Sequence, residues 1–144
     1  MLAASAALAS AISKASSMQG QNPLHELSAL MTRENLVVIQ DEVENTFIKE
    51  SVVKYILDLI VATRNNEDIL RGASPRATLA VTSMAKAVAQ LRGRDYVLPV
   101  DVREVFPWTI AHRLILSPKA EGQGKTPEQI LTEIISQVSA PRIR

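Results

Sequence analysis

Proline placement constrains this chain more than any other feature. With its fixed φ and missing N–H, proline can open a helix but disrupts one from within. Pro75, Pro99, Pro107 and Pro127 therefore confine the second half to helices of a few turns with marked starts. Ser74-Pro75 reads as an N-cap and first helical residue, and Gly93 ends that helix about five turns later. Pro99 starts another helix, with Val102, Val105 and Phe106 inward, which Pro107 kinks or divides ahead of Ile110 to His112. Thr126-Pro127-Glu128-Gln129 forms a capping box, followed by one apolar face of Ile130, Leu131, Ile134, Ile135 and Val138.

Upstream, order begins at Asn22-Pro23. Thr32 caps a helix to about Asn45, with Leu36, Ile39 and Val43 on one face. A second helix over Ser51 to Arg64 carries Val52, Val53, Ile56, Leu57, Leu59, Ile60 and Val61, so wide an apolar surface that it should be the most buried element. Polar residues from Asn65 to Asp68 lead through Ile69-Leu70-Arg71 to Gly72, a natural place for positive φ. In the Pro75 helix, Ala77, Ala80, Ala85, Ala87 and Ala89 permit close approach, and Leu79, Met84, Val88 and Leu91 supply bulk. Tyr96-Val97-Leu98 is an extended link, Leu114-Ile115-Leu116 a brief strand to pair with it, and Ser117 to Lys125 a loop. The expected fold is mainly α: a small bundle of about five helices over residues 22–144, with room for one short two-stranded β pair. Residues 1–21 are expected to lie outside it. Twelve of the first seventeen residues are Ala or Ser, and Lys14 is the only basic one, so the stretch lacks a signal peptide's charged start and apolar core. No run approaches the ~18 apolar residues of a membrane span.

Composition removes several functions. Without cysteine there are no disulfides, thiolate metal sites or thiol catalysis. The net charge of +1 and only five aromatic residues give little basis for nucleic-acid binding, so no nucleic acid and no membrane are expected as partners. The balance hides an uneven distribution: residues 25–63 carry three basic and seven acidic side chains, and residues 64–103 seven and four. The basic block holds Arg64, Arg71, Arg76, Arg92 and Arg94, either a solvated face or a surface that meets an anion.

Gly122-Gln123-Gly124-Lys125-Thr126 imitates part of a phosphate-binding loop. Such a loop needs a glycine where this chain has Lys119, and Pro127 follows at once, so the segment reads as a surface turn into a cap. His25 and His112 lie far apart without a zinc-binding spacing, and no metal site is expected. Arg76 is more informative. It falls in the first turn of the Ser74-Pro75 helix, where its charge opposes the positive dipole end. Its partner is either an anion outside the helix, such as a phosphate, or a local carboxylate such as Glu67 or Asp68.

Ala62-Thr63-Arg64, Gly72-Ala73-Ser74-Pro75-Arg76-Ala77, Gly93-Arg94-Asp95-Tyr96-Val97, Pro99, Asp101-Val102 and His112-Arg113-Leu114 together resemble the C-terminal lid domain of MoxR-type AAA+ ATPases. Asn22-Pro23-Leu24 and Ala140-Pro141 fit the same pattern, so the likeness spans about residues 22–141. It implies a helical lid closing over ATP and Mg²⁺ held by a separate α/β core. Arg76 would be the sensor 2 residue, with Ser74 and Pro75 shaping its helix start, and Arg64, Arg71 and Arg94 candidates for core or subunit interfaces. The resemblance further implies a cytoplasmic ring, commonly a hexamer, that remodels partner proteins, among them proteins with a von Willebrand factor A domain. Leu98, Val100 and Lys49-Glu50 depart from the family pattern at helix ends. The chain has neither Walker motif, so ATP hydrolysis is expected of the parent protein and not of this polypeptide alone. The alternative is a free-standing helical adaptor that binds a partner through the basic block.

Overall fold

The computed structural model describes residues 29–142. The expected tail, together with Asn22-Pro23-Leu24 and His25, lies outside the described residues. The chain divides into two compact units, Met1–Asp41 and Glu42–Arg144. Among the described residues, α1 spans Arg33–Glu44, α2 Glu50–Arg64, β1 Ile69–Arg71 and α3 Pro75–Leu91. There follow α4 at Pro99–Ile110, a 3-10 turn at Ala111–Arg113, β2 at Ile115–Leu116, α5 at Pro118–Gly122 and α6 at Pro127–Gln137.

The capping signals place the helix starts. The Thr32 hydroxyl accepts from Asn35 N–H at 3.2 Å, and Thr126 accepts from Gln129 N–H while the Gln129 side chain returns to Thr126 N–H at 3.0 Å. Pro75, Pro99 and Pro127 all occupy first helical positions. Gly93 ends α3 at φ +70°, a conformation glycine adopts without strain.

The core lies in the second unit. From α2 it takes Val52, Tyr55, Ile56, Leu59 and Ile60; α4 contributes Val102, Val105, Phe106 and Ile110, and α6 Ile130, Leu131 and Ile134. α2 has more buried residues than any other described helix, as its sequence predicted, but Leu57 and Val61 face outward. α3 packs most extensively against α4 and also against α2, and its buried residues are Ala77, Val81, Ala85 and Ala89. Small side chains let the two backbones approach. The bulk expected from Leu79, Met84 and Leu91 is therefore exposed instead, with Val88 only partly buried.

Several local expectations are corrected. Of the two expectations at Pro107, division does not occur: α4 runs through it to Ile110, because burial of Phe106 and Ile110 on either side outweighs one lost helix bond. β2 pairs antiparallel with β1, Ile69 opposite Leu116 and Arg71 opposite Ile115, with an irregularity between, and not with Tyr96 to Leu98. Tyr96 instead forms a parallel bridge with Phe47, whose N–H donates to Asp95 O at 2.8 Å while its carbonyl accepts from Val97 N–H at 2.9 Å. The supposed loop from Ser117 to Lys125 contains α5, capped by the Ser117 hydroxyl on Ala120 N–H. Gly72 does not have positive φ; it is required by a close approach of backbone to backbone.

Candidate functional site

The start of α3 is the candidate site. Ser74 occupies the N-cap in extended conformation without a side-chain cap bond, and Pro75 is the first helical residue. Arg76 follows and is exposed. Among the described residues, its guanidinium takes part in no hydrogen bond or ion pair. The two local carboxylates that could have neutralised it are engaged elsewhere, Glu67 with Lys119 at 3.7 Å and Asp68 with Lys125. Asp68 is fixed further, since its N–H bonds the Asn66 side chain and its carbonyl accepts from Ser117 N–H at 2.8 Å. The open choice for Arg76 thus resolves against a carboxylate within the described chain. Arg76 thus places a cation at the positive end of a helix dipole, facing solvent.

The rest of the basic block is mostly committed inside the domain. Arg64 donates from Nε to Ala73 O at 2.8 Å, Lys86 to Glu44 O at 2.7 Å and Arg103 to the Tyr55 hydroxyl at 3.2 Å. Arg92 and Arg94 converge on Asp101, whose side chain is fully buried. Arg94 grips both carboxylate oxygens, at 2.9 and 2.7 Å, and also bonds Tyr96 O at 3.0 Å. Arg92 bonds Asp101 Oδ1 at 2.9 Å and pairs with Glu104. The second Asp101 oxygen accepts Leu98 N–H at 2.8 Å, which supplies from within α4 the cap that Leu98 itself lacks.

Burial pushes the Asp101 carboxyl upward. The hydrogen bonds from Arg94 and Leu98 N–H, the Arg94 charge and the Arg92 bond prevail and hold it below its ordinary value of 3.8. Sequence spacing alone does not group these residues. The one available signal is an aspartate at the third position of a proline-started helix.

Of the sequence-predicted residues, Ser74, Pro75 and Arg76 stand together at the start of α3, and Arg64 reaches the residue before them. Arg71, on β1, is exposed and has no side-chain partner among the described residues. Arg94 belongs to the other end of α3. No grouping of three or more His, Cys, Asp or Glu that could hold a metal occurs among the described residues, and none of their helices is long and apolar enough to cross a membrane.

Comparison with known proteins gives one consistent match. Residues 61–134 match the AAA lid domain family. The uncharacterised YeaC protein of Bacillus subtilis is 35% identical over 120 residues, which is 83% of this chain and 38% of that protein. The chaperone MoxR1 of Mycobacterium tuberculosis is 32% identical over 123 residues, 79% of this chain and 33% of that one. A crystal structure of an ATPase candidate from Cytophaga hutchinsonii superposes with a TM-score of 0.79 at 32% identity, covering 90% of this chain and 41% of the other. The chain thus spans well under half the length of these relatives.

Proposed function

The chain belongs to the AAA lid domain family, as the lid of a MoxR-type AAA+ ATPase, and from that premise we propose that it closes over ATP held by a separate α/β core, with Arg76 as its sensor 2 residue. The observation that carries the reading is the state of Arg76: exposed, in the first turn of α3, and without an acidic partner among the described residues. A guanidinium in that position suits a phosphate, whose negative oxygens match both its donor geometry and the dipole of the helix behind it. The core supplies the ATP and its Mg²⁺; the lid supplies one directed positive charge. When γ-phosphate is lost that charge loses its counterpart, and the preferred lid angle changes. In a cytoplasmic ring of such subunits, commonly a hexamer, the movement would pass to the neighbours and to a remodelled protein, with von Willebrand factor A-domain proteins the candidate partners.

The alternative of an adaptor with a basic binding face loses support from the same geometry. Of the seven cations in residues 64–103, Arg64, Lys86, Arg92, Arg94 and Arg103 make intramolecular bonds, which leaves Arg71 and Arg76 for a partner.

The test is Arg76→Ala in the lid joined to its core, with ATP turnover measured at saturating nucleotide. Loss of an arginine that meets transition-state charge should lower turnover at least about tenfold. Undiminished turnover would remove the sensor role.

A further inference from the structure

We infer that Thr63 and Arg64 form a latch, completed by Gly72, that fixes the direction in which Arg76 is presented. This deepens the reading of Arg76 given above and rests on it.

The chain leaves α2 at Arg64, runs out through β1 and returns to start α3 at Pro75. The ten residues between are enough to leave the two helix ends loosely related unless something ties them. The tie is made at Ala73. The Thr63 hydroxyl, fully buried, donates to Ile60 O at 2.7 Å within its own helix and accepts Ala73 N–H at 3.0 Å. Arg64, the next residue, donates from Nε to Ala73 O at 2.8 Å. Both backbone polar groups of one residue are thus held by consecutive side chains of α2. One bond would act as a pivot, whereas two fix position and orientation.

Gly72 makes the arrangement possible. A Cβ there would lie 2.7 Å from Thr63 O and 2.8 Å from Arg64 N and Cα, so only glycine lets the returning chain lie flush on the helix end. These contacts are with backbone, which cannot swing aside as a side chain would.

The latch acts on Arg76 through the first turn of α3. Ser74 makes no side-chain cap bond, so α3 does not orient that turn in the usual way. Ala73 is buried before the turn and Ala77 within it, and the exposed Ser74, Pro75 and Arg76 lie between these two anchors. Arg64 is itself exposed, yet it is directed at a backbone carbonyl. Thr63, Arg64 and Gly72 are positioning residues: they set where the Arg76 charge stands as the lid moves.

Two measurements test this. In the 144-residue chain, Arg64→Ala should speed amide exchange at Ala73 and across Ala77 to Leu79 by about tenfold or more and leave Ile130 to Ile134 of α6 unchanged. A uniform rise through α3 and α6 would mark general destabilisation and overturn the latch.

In the lid joined to its core, Arg64→Ala should lower kcat with little change in KM for ATP, and Arg64→Lys, which keeps a donor and the charge, should recover most of it. Combined with Arg76→Ala, it should add no further loss. A loss from Arg76→Ala with none from Arg64→Ala, or additive losses, would overturn the latch and leave the sensor reading standing. No loss from Arg76→Ala would overturn the sensor reading and the latch with it.

Discussion

The two ends of α3 carry arginines under opposite conditions. At the C-terminal end, Arg92 and Arg94 agree with the helix dipole, and each binds Asp101. At the N-terminal end, Arg76 opposes the dipole and has no acid beside it among the described residues. The first arrangement is cohesive: a buried carboxylate is tolerable only because two guanidiniums and one backbone N–H surround it. The second does nothing for the domain, since a solvated charge at the wrong end of a dipole costs a little stability and returns none. One end holds the fold together, and the other leaves its charge in solvent without an acidic partner among the described residues.

Substitutions can break or sharpen this contrast. Asp101→Asn should have the largest effect, destabilising by about 3 kcal/mol in urea unfolding, because it strands two arginines prepared for a carboxylate. A neutral result would mean that the C-terminal cluster is not cohesive after all. The pH dependence follows the same group. Its folded pKa is depressed, so its contribution is complete above the ordinary value of 3.8 and is lost as pH falls through the lower folded value. Acid titration of stability should show this step in the parent chain and lack it in Asp101→Asn.

Gly72→Ala comes next, at about 1–3 kcal/mol, since the added methyl meets backbone on three atoms. Thermal unfolding would register it. Arg94→Lys should cost about 1 kcal/mol by exchanging a bidentate grip for a point charge, again read from urea unfolding. Arg76→Ala should move stability by no more than about 0.5 kcal/mol while affecting nucleotide turnover most. A larger stability loss there would show that the N-terminal end is also engaged in the fold.

Much of the fold is legible in the sequence where the signal is local. Ser74-Pro75, Thr126-Pro127 and Gly93 mark helix ends through the chemistry of a few adjacent residues, and the structure places them accordingly. Ser117-Pro118 carries the same kind of signal and starts α5, although its short, polar surroundings read as loop. Gly72 is needed for a different reason from the expected one. Glycine serves positive φ and close backbone approach alike, and the letter alone does not distinguish them. Pairing β2 with Tyr96 fails because short strands say little about their neighbours, and the true partner, β1, lies farther away in sequence. Sequence likewise does not show that Arg94 bonds Asp101 while Arg64 bonds Ala73 O. Cations clustered in sequence go separate ways once helices fold back on one another.

The sequence by itself determined the starts of α1, α3, α4 and α6 and the mainly α class. These rest on caps, prolines and apolar spacing, which act within a turn or two. Only the tertiary structure decided which arginines remained available. That choice depends on whether a carboxylate from a distant segment arrives within bonding distance. Packing brings Asp101 to Arg92 and Arg94 and, among the described residues, brings no carboxylate to Arg76. It also decided that the end of α2, through Thr63 and Arg64, holds the start of α3, a contact between residues nine and ten apart that local propensity cannot encode.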